Sequence, residues 1–195
     1  MKCFGSASRR RGYQIWQALA LGLCRAMLSM LIFCEGPEER AAPRLVRALS
    51  SLVPGVVRGL IGDVHVVTPA APGFGAIADE AGVRHYGGAP DPAAFELALG
   101  ALKGPWCAAL KGDQRVDGAW FDALEAFILE APQAVLLRVA PQNMAQRLVP
   151  GLASASGVVW HRTCLAGGRV PSWDGLRGAL RPRLTLSART HPLSP

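Results

Sequence analysis

Two repeat lengths alternate in the hydrophobic pattern of this chain. Apolar or β-branched runs of strand length occupy residues 28–34, 61–67, 83–86, 106–110, 134–139 and 156–162, most of them closed by glycine, proline or polar turn residues. Between them apolar residues fall at helical spacing, as in Leu45, Leu49 and Leu52, or Phe95, Leu99 and Leu102, or Trp120, Leu124, Phe127 and Ile128. Runs that are apolar on both faces suit strands in the middle of a sheet, and strands alternating with amphipathic helices imply parallel βαβ units. The pattern predicts helices over 44–53, 77–81, 93–102, 120–129 and 143–149. The first stops at Pro54-Gly55, the third starts near Asp91 as its N-cap, and the third strand closes at Gly87-Gly88. A weak helix over 173–180 carries Gly175 and Gly178, each costing about 1 kcal/mol relative to alanine. Residues 183–187 read as a last edge strand. The fold class is therefore α/β, a single domain with a mostly parallel central sheet and helices on both faces.

Within that pattern one stretch carries chemistry. After the apolar strand over 106–110 the chain passes through Lys111-Gly112-Asp113-Gln114-Arg115 before starting a helix. In open α/β sheets ligands gather beyond the carboxyl ends of the parallel strands, which is where Asp113 falls. An aspartate at such a point also serves as a turn former, while Asp117, ahead of Gly118-Ala119-Trp120, is placed to cap the following helix.

Half of the 195 residues are hydrophobic and 18% are charged, which excludes a disordered chain and leaves enough apolar material for one substantial core. The net charge of +7 is concentrated at the two ends. Lys2, Arg9, Arg10, Arg11 and Arg25 precede the first acid, and Arg162, Arg169, Arg177, Arg181, Arg183 and Arg189 face only Asp174, whereas the middle of the chain has more acids than bases. Arg9-Arg10-Arg11 ahead of the apolar stretch over 15–23 has the layout of a signal peptide. Arg25 interrupts that stretch, no small-x-small site clearly follows, and a membrane span needs about 20 uninterrupted apolar residues. Residues 1–26 thus read as a basic and apolar extension to a domain over 27–195, with a start at Met27 or Met30 as the alternative. Five scattered cysteines without a CxxC pair, and four equally dispersed histidines, argue against a disulfide framework or a zinc site and for a reducing cytoplasm.

Four stretches carry a likeness. LSMLIF at 28–33, LVRALSSLVPGVVRGLIGDVHVV at 45–67, IADEAGV at 77–83 and GPWCAALKGDQRVDGAWFDALEAFI at 104–128 together resemble the glycosyltransferase family 2 proteins, nucleotide-sugar transferases of the GT-A fold, and their bacterial members most. The resemblance spans roughly residues 27–190 and implies a single GT-A-like, Rossmann-like domain. Its motifs depart from the family's. The loop after the first strand reads Phe33-Cys34-Glu35-Gly36-Pro37 in place of Pro-Thr-x-Asn-Glu. The second strand ends in Thr68-Pro69-Ala70-Ala71-Pro72-Gly73, where family members place a nucleotide-holding aspartate. Of the Asp-x-Asp metal motif only Asp113 remains, with Lys111 in the earlier position, and Trp173-Asp174 is the nearest match to the Glu-Asp pair that supplies the general base.

Carried over position by position, the resemblance implies a donor site at Cys34, Glu35, Thr68, Lys111 and Asp113, a metal ligand at Asp113 and a catalytic base at Asp174. The bland role for Asp174 is the N-cap of the weak helix that follows it. The resemblance also implies Mg2+ or Mn2+ to neutralise the departing diphosphate, with one acid of the motif left to hold the ion. Lys111 offers a fixed ammonium in the ion's place, with Asp113 orienting Lys111 or a sugar hydroxyl. The function implied is sugar transfer from a nucleotide-sugar donor to an unidentified acceptor. The alternative is a catalytically inactive binding or regulatory module on the same fold. No aromatic-basic RNA-binding motif appears, so nucleic acid is not an expected partner, whereas the basic ends offer peripheral contact with an anionic membrane. The expected location is cytoplasmic, including the inner face of the membrane.

Overall fold

A computed structural model describes residues 28–89, 92–128, 134–138, 155–165, 170, 172–182, 184–185 and 190–192. The extension over 1–26, the N-cap at Asp91 and the helix over 143–149 lie outside the described residues. In chain order the elements are β1 (Leu28–Phe33), α1 (Glu38–Val57), β2 (Ile61–Pro69), α2 (Pro72–Glu80), β3 (Arg84–Ala89), α3 (Pro92–Ala101), β4 (Trp106–Lys111), β5 (Gln114–Arg115), α4 (Gly118–Ile128), β6 (Ala134–Arg138), β7 (Ala155–His161), a 3-10 turn (Arg162–Cys164), α5 (Trp173–Leu180), β8 (Leu184–Thr185) and β9 (His191–Pro192).

Seven strands form one sheet in the order β3-β2-β1-β4-β7-β6-β8, and β5 pairs with β9 in a separate two-stranded ribbon. Strands β1 to β4 run parallel, β8 is parallel to β6, and β7 lies antiparallel between β4 and β6. The mostly parallel sheet read from the sequence is present. Every residue of β1 is buried, and alternation along it divides the core into two layers. Leu28, Met30 and Ile32 pack with α1 and α4, while Leu31 and Phe33 pack with α3 and α5.

Helix α1 is longer than its sequence predicts, because it begins at Glu38 and continues through Pro43 and Pro54 to Val57. A proline inside a helix costs about 3 kcal/mol through a lost hydrogen bond and a ring clash. Burial of the stripe Ala41, Leu45, Ala48, Leu52 and Gly55 opposes that cost, since each large aliphatic side chain removed from water contributes about 1.5–3 kcal/mol. Gly55 belongs to the stripe for steric reasons: a Cβ there would lie 2.4 Å from Phe121 Cε1, so α1 and α4 cross closely at this point. Strand β3 also outruns its expected break at Gly87-Gly88, because β2 supplies register partners as far as Ala89.

Candidate functional site

Beyond the carboxyl ends of β1 and β4 lies a cleft of about 220 Å³. Phe33, Cys34 and Glu35 line it from the end of β1, Ala41 and Arg44 from α1, and Lys111, Gly112 and Asp113 from the end of β4. Register fixes these groups relative to one another. Phe33 pairs with Lys111, the Gly112 N–H donates to the Phe33 carbonyl at 2.8 Å, and the Cys34 N–H donates to the Val67 carbonyl at 2.9 Å. The parallel pairing of β1 and β4 therefore continues into the loops that form the cleft. Position 112 has no room for a side chain, since a Cβ would lie 2.3 Å from Cys34 Sγ.

Asp113 is half-buried in the turn between β4 and β5. Its Oδ1 accepts a hydrogen bond from Gln114 Nε2 at 3.0 Å. Gln114 is itself buried, and its Oε1 accepts from Thr190 Oγ1 at 3.1 Å. The Thr190 N–H donates to the Arg138 carbonyl at 3.2 Å, and the following residues pair with β5 as β9. A relay of polar groups from the C-terminal segment thus orients the candidate carboxylate. Sequence reasoning missed Gln114, Thr190 and Arg44. A polar residue directly after Asp113 was a usable signal for Gln114, but nothing in the sequence ties Thr190 to a partner 76 residues away.

Cys34 is buried at the base of the cleft, and its thiol is pushed up to about 12, by burial first and by the Asp113 charge second. A thiol held neutral in this way gives the cleft its shape and is a poor nucleophile or metal ligand. Glu35 stands exposed at the rim. Thr68 is fully buried at the end of β2; its hydroxyl donates to the Pro69 carbonyl at 2.9 Å and lies 2.8 Å from His85 Nε2. Asp174 sits in the first turn of α5 with its side chain 89% exposed and Arg177 at 3.8 Å. The structure therefore gathers Cys34, Glu35, Lys111 and Asp113 around one cleft, and places Thr68 and Asp174 outside its lining. The N-cap of α5 is not Asp174 but Ser172, whose Oγ accepts from the Gly175 N–H at 3.2 Å; a residue two positions earlier has the extended backbone a cap requires. Asp117 caps α4 as its spacing predicts, with Oδ1 accepting from the Trp120 N–H at 2.9 Å.

The fit of a divalent ion can be judged from the lining. Among the described residues no group of three His, Cys, Asp or Glu side chains is placed to hold a metal. The cleft offers two carboxylates, Glu35 at the exposed rim and Asp113 already bonded to Gln114, together with two cations, Arg44 and Lys111. Hard divalent ions need oxygen ligands that concentrate negative charge, and this lining cancels it. The residues present do not fit Mg2+ or Mn2+ well.

A second cluster combines serine, aspartate and histidine. Ser29 Oγ donates to Asp63 Oδ1, and it accepts from the Lys103 and Gly104 N–H groups at 3.0 and 2.7 Å. His65 Nε2 lies 2.7 Å from Asp63 Oδ2, and His65 Nδ1 lies 3.2 Å from the Tyr86 hydroxyl. In this arrangement the aspartate is central, so the serine has no imidazole on its Oγ to take its proton, as a nucleophile requires. Ser29 and His65 are both fully buried. The network ties β1, β2, β3 and the chain entering β4 together across the sheet.

No protein-family model and no curated protein sequence matches the chain. Solved structures do. Residues 1–349 of TarS from S. aureus superpose with a TM-score of 0.59 at 15% identity, covering 87% of this chain and 61% of that one. The mannosyltransferase PcManGT from Pyrobaculum calidifontis, in complex with GDP-Man and Mn2+, gives a TM-score of 0.60 at 13% identity, covering 96% of this chain and 66% of that one. The 4-diphosphocytidyl-2C-methyl-D-erythritol synthase from Anaerococcus prevotii gives 0.57 at 12% identity, covering 86% and 88%. The chain thus spans just under two thirds of the length of the TarS fragment and of the mannosyltransferase. These likenesses show the fold, which is the GT-A-like α/β fold found in glycosyltransferases and nucleotidyltransferases. No helix among the described residues is long and apolar enough to cross a membrane.

Proposed function

We propose that the protein is a family 2-like glycosyltransferase that places the diphosphate of a nucleotide-sugar donor in the cleft between the ends of β1 and β4. One observation carries the reading: Lys111 and Asp113 meet Cys34 and Glu35 at the carboxyl ends of adjacent parallel strands, on a fold shared with a mannosyltransferase bound to GDP-Man and Mn2+. A cleft of about 220 Å³ is smaller than the roughly 300–1,000 Å³ that encloses a drug-sized ligand. It takes the diphosphate, and the nucleoside and sugar extend along the open surface.

In the proposed reaction the bond between the anomeric carbon and the diphosphate oxygen breaks, and the diphosphate leaves with the electron pair. The acceptor oxygen bonds to the anomeric carbon, and its proton passes to a base. Asp174 is the proposed base, and its 89% exposed side chain is free to meet a bound acceptor. Asp113 orients a sugar hydroxyl or Lys111, Cys34 and Glu35 shape the donor end, and Thr68 supports the site from β2 through its position. In the family-wide scheme a divalent ion would sit on Asp113, where it would neutralise the leaving group; the lining here supplies that charge from side chains instead.

The test is a screen of nucleotide sugars for donor hydrolysis or transfer, with Asp113→Asn and Asp174→Asn as controls. Loss of the Asp174 base lowers kcat by about 10²–10⁴. Asp113→Asn removes turnover and leaves the melting temperature nearly unchanged, because the side chain lies in a partly exposed turn. Full activity in both variants would remove the reading. A second reading, a non-catalytic binding module, is favoured by the position of Asp174 outside the lining of the cleft. It requires nucleotide binding without turnover by any donor.

A further inference from the structure

Arg44 and Lys111 both line the donor cleft, both are half-buried, and neither pairs with a carboxylate among the described residues. Cations held partly out of water at the ends of strands are stabilised by an anion that meets them. Their origins differ. Arg44 comes from α1, which packs on the layer of Leu28, Met30 and Ile32. Lys111 continues the strand face of Cys107 and Ala109, which belongs to the layer of α3 and α5. The two cations therefore approach the ends of β1 and β4 from opposite sides of the sheet. Of the nearby carboxylates, Glu35 is exposed at the rim, Asp113 is oriented by the Gln114 amide, and Glu38 and Glu39 lie in the first turn of α1; none of them forms an ion pair with Arg44 or Lys111.

We infer that Arg44 and Lys111 form a clamp that binds the diphosphate of the donor without a divalent ion. The inference rests on the donor-cleft reading above. Arginine meets phosphate oxygens through two parallel N–H groups, whereas lysine acts as a point charge, so together they supply the two positive charges that a metal ion brings. The position of Lys111 in place of the first acid of the metal motif then has a reason: an acid there would neutralise Arg44 and reopen the site to a cation.

The experiment is calorimetric titration of the full chain with UDP, GDP, the matching monophosphates and inorganic pyrophosphate, in EDTA and again with Mg2+ or Mn2+. Diphosphates bind in EDTA, and added metal changes the dissociation constant little. Arg44→Gln and Lys111→Gln each weaken diphosphate binding by about tenfold or more, as expected for losing a charge-assisted contact, and weaken monophosphate binding less. Arg44→Lys retains part of the affinity. Asp113→Asn leaves binding as tight or tighter both in EDTA and with added metal, whereas loss of a metal ligand weakens the binding measured with metal. Diphosphate binding that appears only with metal and is lost in Asp113→Asn overturns the clamp and keeps the donor cleft. Absence of binding by every nucleotide in either condition overturns the donor cleft and the clamp together. Circular dichroism of each variant separates these outcomes from misfolding.

Discussion

Gly112 holds the cleft together by lacking a side chain. It lets the loop after β4 lie against Cys34, with its N–H on the Phe33 carbonyl at 2.8 Å, and so sets Lys111 and Asp113 beside the end of β1. In Gly112→Ala the new methyl meets Cys34 Sγ, which is 2.3 Å from the ideal Cβ position, while the backbone atom nearest to it is Cys34 Cα at 3.4 Å. Overpacking of this kind costs about 1–3 kcal/mol, read as a lowered urea midpoint with an unchanged slope. Because the clash is with one sulfur, Cys34→Ala in the same chain restores most of the loss, and the two substitutions are strongly non-additive. A double variant as unstable as the sum of the singles would place the strain elsewhere. At this scale the sequence was informative where one residue declares its own setting: a buried strand running into Lys111-Gly112-Asp113 identified the end of β4. It was silent on Arg44, which reads as one of several arginines on an amphipathic helix until the fold turns it to the cleft, and on Thr190, whose relevance depends entirely on where the C-terminal segment returns.

The short elements carry the return. Strands β5 and β9 have two residues each, too few for any period to mark them, yet they bring Thr190 to Gln114 and His191 to Asp117. Asp117 accepts from the Trp120 N–H through one oxygen and meets His191 Nε2 at 3.0 Å through the other. Its carboxyl is held below its ordinary 3.8 mainly by the Trp120 N–H, with the His191 hydrogen bond adding to it. A carboxyl depressed in the folded state stabilises the fold above its unfolded pKa, and that contribution is lost as the pH falls through the folded value. In Asp117→Ala the loss of the cap costs roughly 1 kcal/mol at neutral pH, and the variant's melting temperature falls less steeply than the parent's below about pH 4. Parallel acid limbs in the two proteins would show that Asp117 does not titrate against the fold. The long elements had the opposite legibility. Helical spacing located α1, but its true length follows from a buried stripe that overrides Pro43 and Pro54, a tertiary effect that local propensity cannot express.

At the scale of the whole molecule, periodicity reported which residues are buried but not which strands are neighbours. Nothing in the run over 156–162 announced that it would reverse and slip between β4 and β6 as β7. That insertion makes one continuous sheet with a separate core on each face, and a cysteine lies in each of them: Cys34 with α1 and α4, Cys107 with α3 and α5. Both thiols are pushed up to about 12, chiefly by burial, so at pH 8 neither is a useful nucleophile in the folded state and each reacts only when its layer opens. Cys164, in the 3-10 turn, is only partly buried. In timed iodoacetamide labelling read by mass spectrometry, Cys164 is modified before Cys34 and Cys107. If the shared sheet makes the two layers open together, Cys34 and Cys107 are then labelled at one common rate, and added urea raises both rates in parallel. Labelling of Cys107 well ahead of Cys34 would mean that α3 and α5 detach from a sheet still covered by α1 and α4. In that case the cleft, which is built from β1, α1 and β4, would survive the loss of the other layer and still bind a diphosphate.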